Sequence, residues 1–295
     1  MLKNKLFLIL IISVVANLGL LAFFLGPKIF RPSVPATTTV SSADQANLFN
    51  EINPESGYEI KAQFGNLGPK MISLGVIDPE KFKNAYLKSN QPLTPEQETI
   101  LFDGSDQKIK ITRDNSYFLL NFFWAVGLAN RSEILDKGQI MQYGGKKDAS
   151  KFASTGGWTL AKGDAMNYYS KSALIPLTKD QEELVDAVAA NIFRPDCNHG
   201  MALLGVLQLM AGNGAGEPEM YEAGKYFNAF WFPGNYYDLA LYFKNKDGQL
   251  FKDIDPKTLL SRDYSSASGW QNAKQWLAEK GLIQQPPKQG GGCGV

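Results

Sequence analysis

Histidine and cysteine are almost absent from this sequence. The 295 residues contain one histidine, His199, and two cysteines, Cys197 and Cys293. Two cysteines are too few for a disulfide-stapled scaffold, and one imidazole excludes His-rich metal sites and mechanisms that need two histidines. Chemistry that depends on imidazole, or on a thiol held by secondary structure, is therefore expected at the stretch that contains Cys197 and His199.

An excess of charge of either sign is also absent. Lysine and arginine number 30 against 29 aspartates and glutamates, which gives a formal net charge of +1. The basic residues are scattered rather than clustered, so we expect no nucleic-acid partner. Hydrophobic residues make up 44% and aromatic residues 12% of the chain. This composition predicts a sizeable core rather than global disorder.

One long hydrophobic run lies near the N-terminus. Residues 6–25 carry no charge, and as a helix they span about 30 Å, the thickness of a hydrocarbon core. A cleaved signal peptide has a shorter apolar core, about 7 to 15 residues, followed by a small-residue cleavage site. We therefore predict an uncleaved signal anchor in the cell membrane. Residues 1–5 would be cytoplasmic, and the bulk of this single-pass protein would be extracytoplasmic.

The next segment is rich in proline and in small hydroxylated residues. Residues 26–50 include the run PSVPATTTVSS, a composition that cannot bury enough apolar surface to fold. We expect a stalk over 26–50, a globular domain over 51–283, and a flexible Gly-rich tail over 284–295 that contains Cys293.

The domain is expected to be mainly α-helical, with few or no strands. Asp78-Pro79 and Thr94-Pro95-Glu96-Gln97 each place a capping residue before a proline at the first helical position. Residues 117–128 are apolar on nearly every face and predict a core helix. Two short stretches, 58–62 and 108–111, are the strand candidates. Since no internal repeat is visible, we predict one multi-helix domain.

Two further segments suggest function through their composition. Residues 139–163 are rich in glycine and lysine and predict a long surface loop, a frequent location of functional residues. Residues 226–242, YFNAFWFPGNYYDLALY, could form an aromatic platform for a protein or glycan partner. Their helical spacing favours the alternative, a place in the core.

The strongest candidate site is the stretch from Arg194 to Met201. Pro195 ends one helix, and Asp196 is placed to cap a new helix whose first turn contains Cys197 and His199. A helix N-terminus favours a thiolate, whereas the carboxylate of Asp196 opposes it. Residues two apart on a helix point about 200° apart, so shared ligation requires an irregular first turn or a Cys197 just outside the helix.

The sequence leaves several uses of these residues open. Cys197, His199 and Cys293, with Asp196 or water, could bind zinc or copper(I). The two cysteines could instead form a disulfide or act as exchanging thiols. An enzyme with Cys197 as nucleophile lacks a second histidine to activate the thiol. The alternative without chemistry is a buried cysteine, an ordinary hydrogen-bonded histidine and an unstructured tail.

The motif Asp196-Cys197-Asn198-His199-Gly200, with Tyr226 to Trp231 downstream, resembles a group of uncharacterised, membrane-anchored bacterial proteins. The resemblance covers most of residues 65–243. It implies a bacterial origin and relatives with extra cysteines just ahead of the motif. Residues 191–195 contain none here, so a metal site built on those cysteines would have lost ligands.

The leading hypothesis is an anchored extracytoplasmic protein that handles a soft metal ion or acts in thiol redox chemistry. Cys197 would be the central group, assisted by His199 and Cys293, and binding rather than turnover is expected. The alternative from another class is a structural or interaction module carried on the stalk. The sequence predicts neither the metal nor the oligomeric state.

Overall fold

The computed structural model describes residues 42–142, 149–192 and 197–284. The predicted anchor over 6–25 and most of the predicted stalk lie outside the described residues. Within the described ranges, no helix is both long enough and apolar enough to cross a bilayer.

The fold is mainly α-helical with one small sheet, which confirms the predicted class. One hydrophobic core runs through the described residues and joins them in a single body. The helices are α1 (Ser42–Ile52), α2 (Leu67–Leu74), α3 (Pro79–Lys88), α4 (Pro95–Phe102), α5 (Ser116–Ala129), α6 (Glu133–Lys137), α7 (Gln139–Gln142), α8 (Lys179–Ile192), α9 (Asn198–Gly212), α10 (Glu217–Trp231), α11 (Pro233–Asp247), α12 (Pro256–Leu260), α13 (Arg262–Ser265) and α14 (Ala267–Glu279). The strands are β1 (Tyr58–Gly65) and β2 (Ser105–Ile111).

Helix α1 occupies a region where the composition predicted stalk. Residues 42–50 are helical, and Leu48 and Ile52 are buried in the core. The end of α1 is fixed by Asn53, whose Nδ2 donates to the carbonyl of Ala229 at 2.8 Å. The Nε of Arg113 donates to the Asn53 carbonyl at 3.1 Å. The folded domain was predicted to begin at residue 51 but is helical from Ser42, nine residues earlier.

The two strands pair antiparallel at one side of the helices. Tyr58 lies opposite Ile111, and Gly65 opposite Ser105. Alternate residues of β1, namely Ile60, Ala62 and Phe64, are buried. A two-stranded sheet is marginal by itself, so the packing of this apolar face against the helices stabilises it.

Helices α5 and α9 form the centre of the core and cross in backbone contact. A Cβ on Gly205 would lie 2.5 Å from the carbonyl oxygen of Phe123 and 2.8 Å from the nitrogen of Gly127. Further along, the Nε2 of Gln208 donates to the carbonyl of Arg131 at 3.5 Å. Residue numbers thus rise together along the two helices, so they run parallel and their N-termini share one end of the core.

The segment 149–163 differs from the predicted surface loop. It forms turns in which Ser154 and Trp158 are buried. The indole Nε1 of Trp158 donates to the carbonyl of Val76 at 2.8 Å, and that of Trp124 donates to the carbonyl of Ser154 at 2.7 Å. Two tryptophan hydrogen bonds therefore hold a Gly- and Lys-rich segment against the core. Residues 143–148 of the same stretch lie outside the described residues.

Helices α10 and α11 meet at a sharp corner. Pro233 is the first residue of α11, a position that suits its fixed φ angle. Phe232, between the two helices, has non-helical dihedrals (φ −126°, ψ 57°) and serves as the cap residue of both. This corner places Trp231 and Phe232 beside the first turn of α9.

Candidate functional site

Cys197 is the N-cap residue of α9. Its backbone is extended (φ −125°, ψ 154°), and its Sγ accepts a hydrogen bond from the backbone N–H of Gly200 at 3.3 Å. Asn198 is therefore the first helical residue, and the capping role predicted for Asp196 belongs to the cysteine. A sulfur that accepts from a helix N-terminus lies where negative charge is stabilised.

The position of Cys197 outside the helix satisfies the geometric condition for joint action with His199. Within a regular helix the two side chains would point apart, but an extended N-cap residue is not bound by the helical angle. Cys197, Asn198 and His199 are each partly exposed, and the next residue, Gly200, is buried. The thiol and the imidazole thus lie where a buried, rigid helix meets the surface.

The His199 ring packs against the aromatic corner of α10 and α11. Its centroid lies 4.1 Å from that of Phe232, with the rings inclined by 38°, and 6.0 Å from that of Trp231. Burial lowers the pKa of His199 from 6.5 to about 4. The imidazole is therefore neutral at physiological pH.

The polar edge of the His199 ring remains open. No described residue forms a hydrogen bond with either ring nitrogen. Neither nitrogen is among the described polar atoms that are fully buried without a partner, so each keeps contact with solvent. A neutral ring nitrogen that is in contact with solvent can accept a proton, a hydrogen bond or a metal ion.

The start of α5 completes the surroundings of the site. The indole Nε1 of Trp231 donates to the carbonyl of Ser116 at 3.1 Å, so Trp231 lies between the first turn of α5 and the ring of His199. Two parallel helices therefore present their N-termini at this end of the core, and both ends favour negative charge nearby.

Two members of the predicted ligand set are placed by the structure, and two are not. Cys197 and His199 lie at the start of α9, whereas Asp196 and Cys293 lie outside the described residues. The described residues contain no group of three or more His, Cys, Asp or Glu side chains that could hold a metal ion. Met201 and Met210, the nearby thioethers, are buried in the core at 0% and 3% exposure. A complete metal site would thus need ligands from beyond the described ranges.

The aromatic segment 226–242 does not form the platform that the partner-binding hypothesis requires. Four of its rings, those of Phe227, Phe230, Tyr236 and Tyr242, are buried, and its other aromatic side chains are only partly exposed. The alternative that the helical spacing favoured, a place for these residues in the core, is therefore confirmed.

Lys225 is a buried charge that the sequence analysis missed. Its side chain is 0% exposed, and its Nζ donates to the carbonyls of Lys252 and Ile254, both at 3.2 Å. A longer bond of 3.4 Å reaches Glu222. Burial lowers the pKa of Lys225, and Glu222 opposes that shift. Three acceptors use its three donors, so Lys225 joins α10 to the chain that follows α11. The sequence alone could not predict this, because a lysine on an amphipathic helix is usually exposed to solvent.

Comparison of the chain with models of protein families, with curated proteins and with solved structures gave no match. The resemblance to membrane-anchored bacterial proteins therefore stays a prediction. The chemistry of the site has to be argued from its own residues.

Proposed function

We propose that this chain is a membrane-anchored, extracytoplasmic protein that binds a soft metal ion through Cys197 and His199. The observation that carries the proposal is the hydrogen bond from the Gly200 N–H to the Cys197 Sγ at 3.3 Å. It supports an anionic sulfur at a fixed point on a rigid helix, and thiolate is the form of cysteine that binds metal.

His199 supports the proposal as a second ligand. Because burial lowers its pKa to about 4, a metal ion need not displace a proton from the ring at neutral pH. Packing against Phe232 restricts the orientation of the ring, which lowers the entropy lost on ligation. A thiolate and an imidazole suit zinc or copper(I) better than magnesium or calcium, which prefer oxygen ligands.

The third and fourth ligands in this proposal are Asp196 and Cys293. Helices α14 and α11 run side by side in the same direction, since Trp270 bonds Asp238 at 3.0 Å and the Trp276 ring lies 5.1 Å from that of Tyr242. The tail therefore starts near the far end of α11 from His199, about 22 Å away along the helix. The nine residues that follow 284 up to Cys293 can extend about 30 Å, which is enough to return.

The same reach allows a second use of the thiols. Cys197 and Cys293 could form a reversible disulfide, and a cysteine at a helix N-terminus is the better attacking thiolate of such a pair. This alternative shares Cys197 with the metal proposal but does not need His199, so the two can be separated by experiment.

Elemental analysis of the purified full-length protein tests the proposal. We expect about one zinc or copper per chain, lost in Cys197→Ser and bound more weakly in His199→Gln. Serine is a good N-cap residue, so Cys197→Ser should keep the fold, and thermal unfolding of the metal-free proteins checks this. Unchanged metal content in Cys197→Ser would refute the role. A metal-free protein in which non-reducing peptide mapping joins Cys197 to Cys293 would support the redox alternative.

A further inference from the structure

Aromatic packing, rather than a hydrogen bond, orients the imidazole of His199. None of the described residues forms a hydrogen bond with either ring nitrogen. A histidine that binds a metal usually donates its other ring N–H to a protein group, and that bond fixes the direction of the ring. At the start of α9, the groups placed to do so are the two rings that lie against the imidazole, those of Trp231 and Phe232.

The ring of Trp231 is held on two sides. Its indole Nε1 donates to the carbonyl of Ser116 at 3.1 Å, and Ser116 is the first residue of α5. The same ring packs against Phe227, with the centroids 5.4 Å apart and the planes inclined by 80°. Phe227 is fully buried and packs in turn against Phe123 of α5, at 6.2 Å. Because a tryptophan side chain has only two rotatable χ angles, the hydrogen bond and the ring contact together determine its orientation.

Phe232 lies closer to His199 but is held less firmly. Its centroid is 4.1 Å from that of the imidazole, yet a phenyl ring has no donor that could anchor it. Its backbone forms the non-helical corner between α10 and α11, and its side chain is partly exposed. Among the described rings, that of Phe232 contacts only His199. Phe232 therefore covers the imidazole, whereas Trp231 connects it to the core.

Trp231 joins three helices at this point. Its backbone is the last residue of α10, its N–H bonds the start of α5, and its ring meets His199 of α9. The indole and imidazole planes are inclined by 63°, with the centroids 6.0 Å apart. Aromatic rings prefer such an edge-to-face arrangement, and it would be lost if either ring turned.

We propose that Trp231, anchored by its bond to Ser116, is the positioning residue that fixes the His199 ring in the orientation of a metal ligand. This inference rests on the proposed function, because it concerns a ligand of the same site. Trp231 supplies no ligand atom itself, since an indole N–H is a donor only and is already bonded to the Ser116 carbonyl.

Trp231→Phe in the full-length protein tests this role, because phenylalanine keeps an aromatic ring but lacks the N–H. His199 is the only histidine, so its imidazole gives a single set of NMR signals. Nuclear Overhauser effects from that ring to Phe232 report its orientation without any metal. We expect them to weaken in the variant, as the ring samples further orientations. We also expect zinc, measured by competition with a chelator, to bind about tenfold more weakly, as when an orienting partner of a ligand is removed.

Trp124→Phe is the matched control. Trp124 is also partly exposed, and its Nε1 donates to the carbonyl of Ser154 at 2.7 Å, so the substitution removes the same kind of bond. It lies eight residues beyond Ser116 in α5, which is about 12 Å along the helix. Both variants should lose similar thermal stability, but Trp124→Phe should keep the wild-type Overhauser effects and zinc affinity.

A second change at position 231 guards against misfolding of Trp231→Phe. Benzothienylalanine keeps the size of the indole and replaces only its N–H by sulfur, and it should have the same two effects. Unchanged Overhauser effects in a folded variant would overturn the proposal, and so would a loss of zinc affinity no larger than that of Trp124→Phe. A wild type that binds no zinc, while Trp231→Phe still weakens the Overhauser effects, would refute the metal site but support the orienting role of Trp231.

Discussion

His199 is the only histidine in the chain, so its contribution to pH-dependent stability can be isolated with one substitution. Burial against Phe232 and Trp231 lowers its folded-state pKa from the ordinary value of 6.5 to about 4. Between these two pH values the unfolded chain binds a proton that the folded chain does not. Stability is therefore expected to fall as the pH decreases from 6.5 to 4, and to change little through His199 above or below that window.

The size of the effect follows from the two pKa values. The interval between 6.5 and about 4 corresponds to at most about 3.4 kcal/mol of unfolding free energy, at 1.36 kcal/mol for each pKa unit. At pH 5 the folded protein is still mostly unprotonated while the unfolded chain is mostly protonated, so about 2 kcal/mol is already lost.

Urea unfolding of metal-free protein between pH 7.5 and 4.5 measures this loss. His199→Gln serves as the comparison, because glutamine does not titrate. Loss of the ring contacts lowers the stability of that variant by the same amount at every pH, so the difference between the two proteins isolates the proton. We expect wild type to lose about 2 kcal/mol more than the variant between pH 7.5 and 5. Parallel curves would refute the buried, neutral histidine.

Three further substitutions test the packing of the fold around the candidate site. Gly205→Ala should lower the free energy of unfolding by about 2 kcal/mol or more, because α5 and α9 must separate to admit the methyl group. Gly234→Ala is the control, because nothing lies within 4 Å of a Cβ added to this helical glycine, and it should leave the stability unchanged. Equal effects of the two substitutions would contradict the close crossing of α5 and α9. Lys225→Ala should cost about 3 kcal/mol by leaving buried carbonyls without a donor, and a neutral result in urea unfolding would contradict the clamp. Leu48→Ala should cost about 2 kcal/mol or more but exposed Gln45→Ala almost nothing, whereas similar small effects would favour the stalk over α1.

Features with local causes could be predicted from the sequence. Helix α3 begins at Pro79, as Asp78-Pro79 predicted, and the Oδ1 of Asp78 accepts from the N–H groups of Glu80 and Lys81. The capping box at Thr94 is also present, with both of its reciprocal hydrogen bonds. In each case a few neighbouring residues determine the outcome, because a cap and a proline fix where the chain turns into a helix.

Features that depend on distant partners could not be predicted. Helix α1 follows a segment rich in proline, serine and threonine, and it is helical because the core receives Leu48 and Ile52. Burial of Trp158 likewise depends on the carbonyl of Val76, 82 residues away. The composition of a segment does not show which distant residues it will pack against. Residues 42–50 were therefore predicted to be stalk, and residues 149–163 were predicted to be a surface loop.

The candidate site shows the same division. The sequence identified Cys197 and His199 and predicted their place at a helix start, but it assigned the cap to Asp196. Local propensity ranks aspartate above cysteine as a cap, so nothing in the stretch itself revealed the bond to Gly200. The aromatic wall around His199 depends on the corner between α10 and α11, which brings Trp231 and Phe232 to the start of α9.

X-ray absorption spectroscopy at the metal edge of the loaded full-length protein tests the central claim most directly. Joint ligation by Cys197 and His199 predicts, for zinc, a first shell with sulfur at about 2.3 Å and imidazole nitrogen at about 2.0 Å. The sulfur contribution should fall in Cys197→Ser, and the imidazole scattering should disappear in His199→Gln. A first shell of oxygen alone, unchanged by either substitution, would contradict the assignment of a soft-metal site to the start of α9.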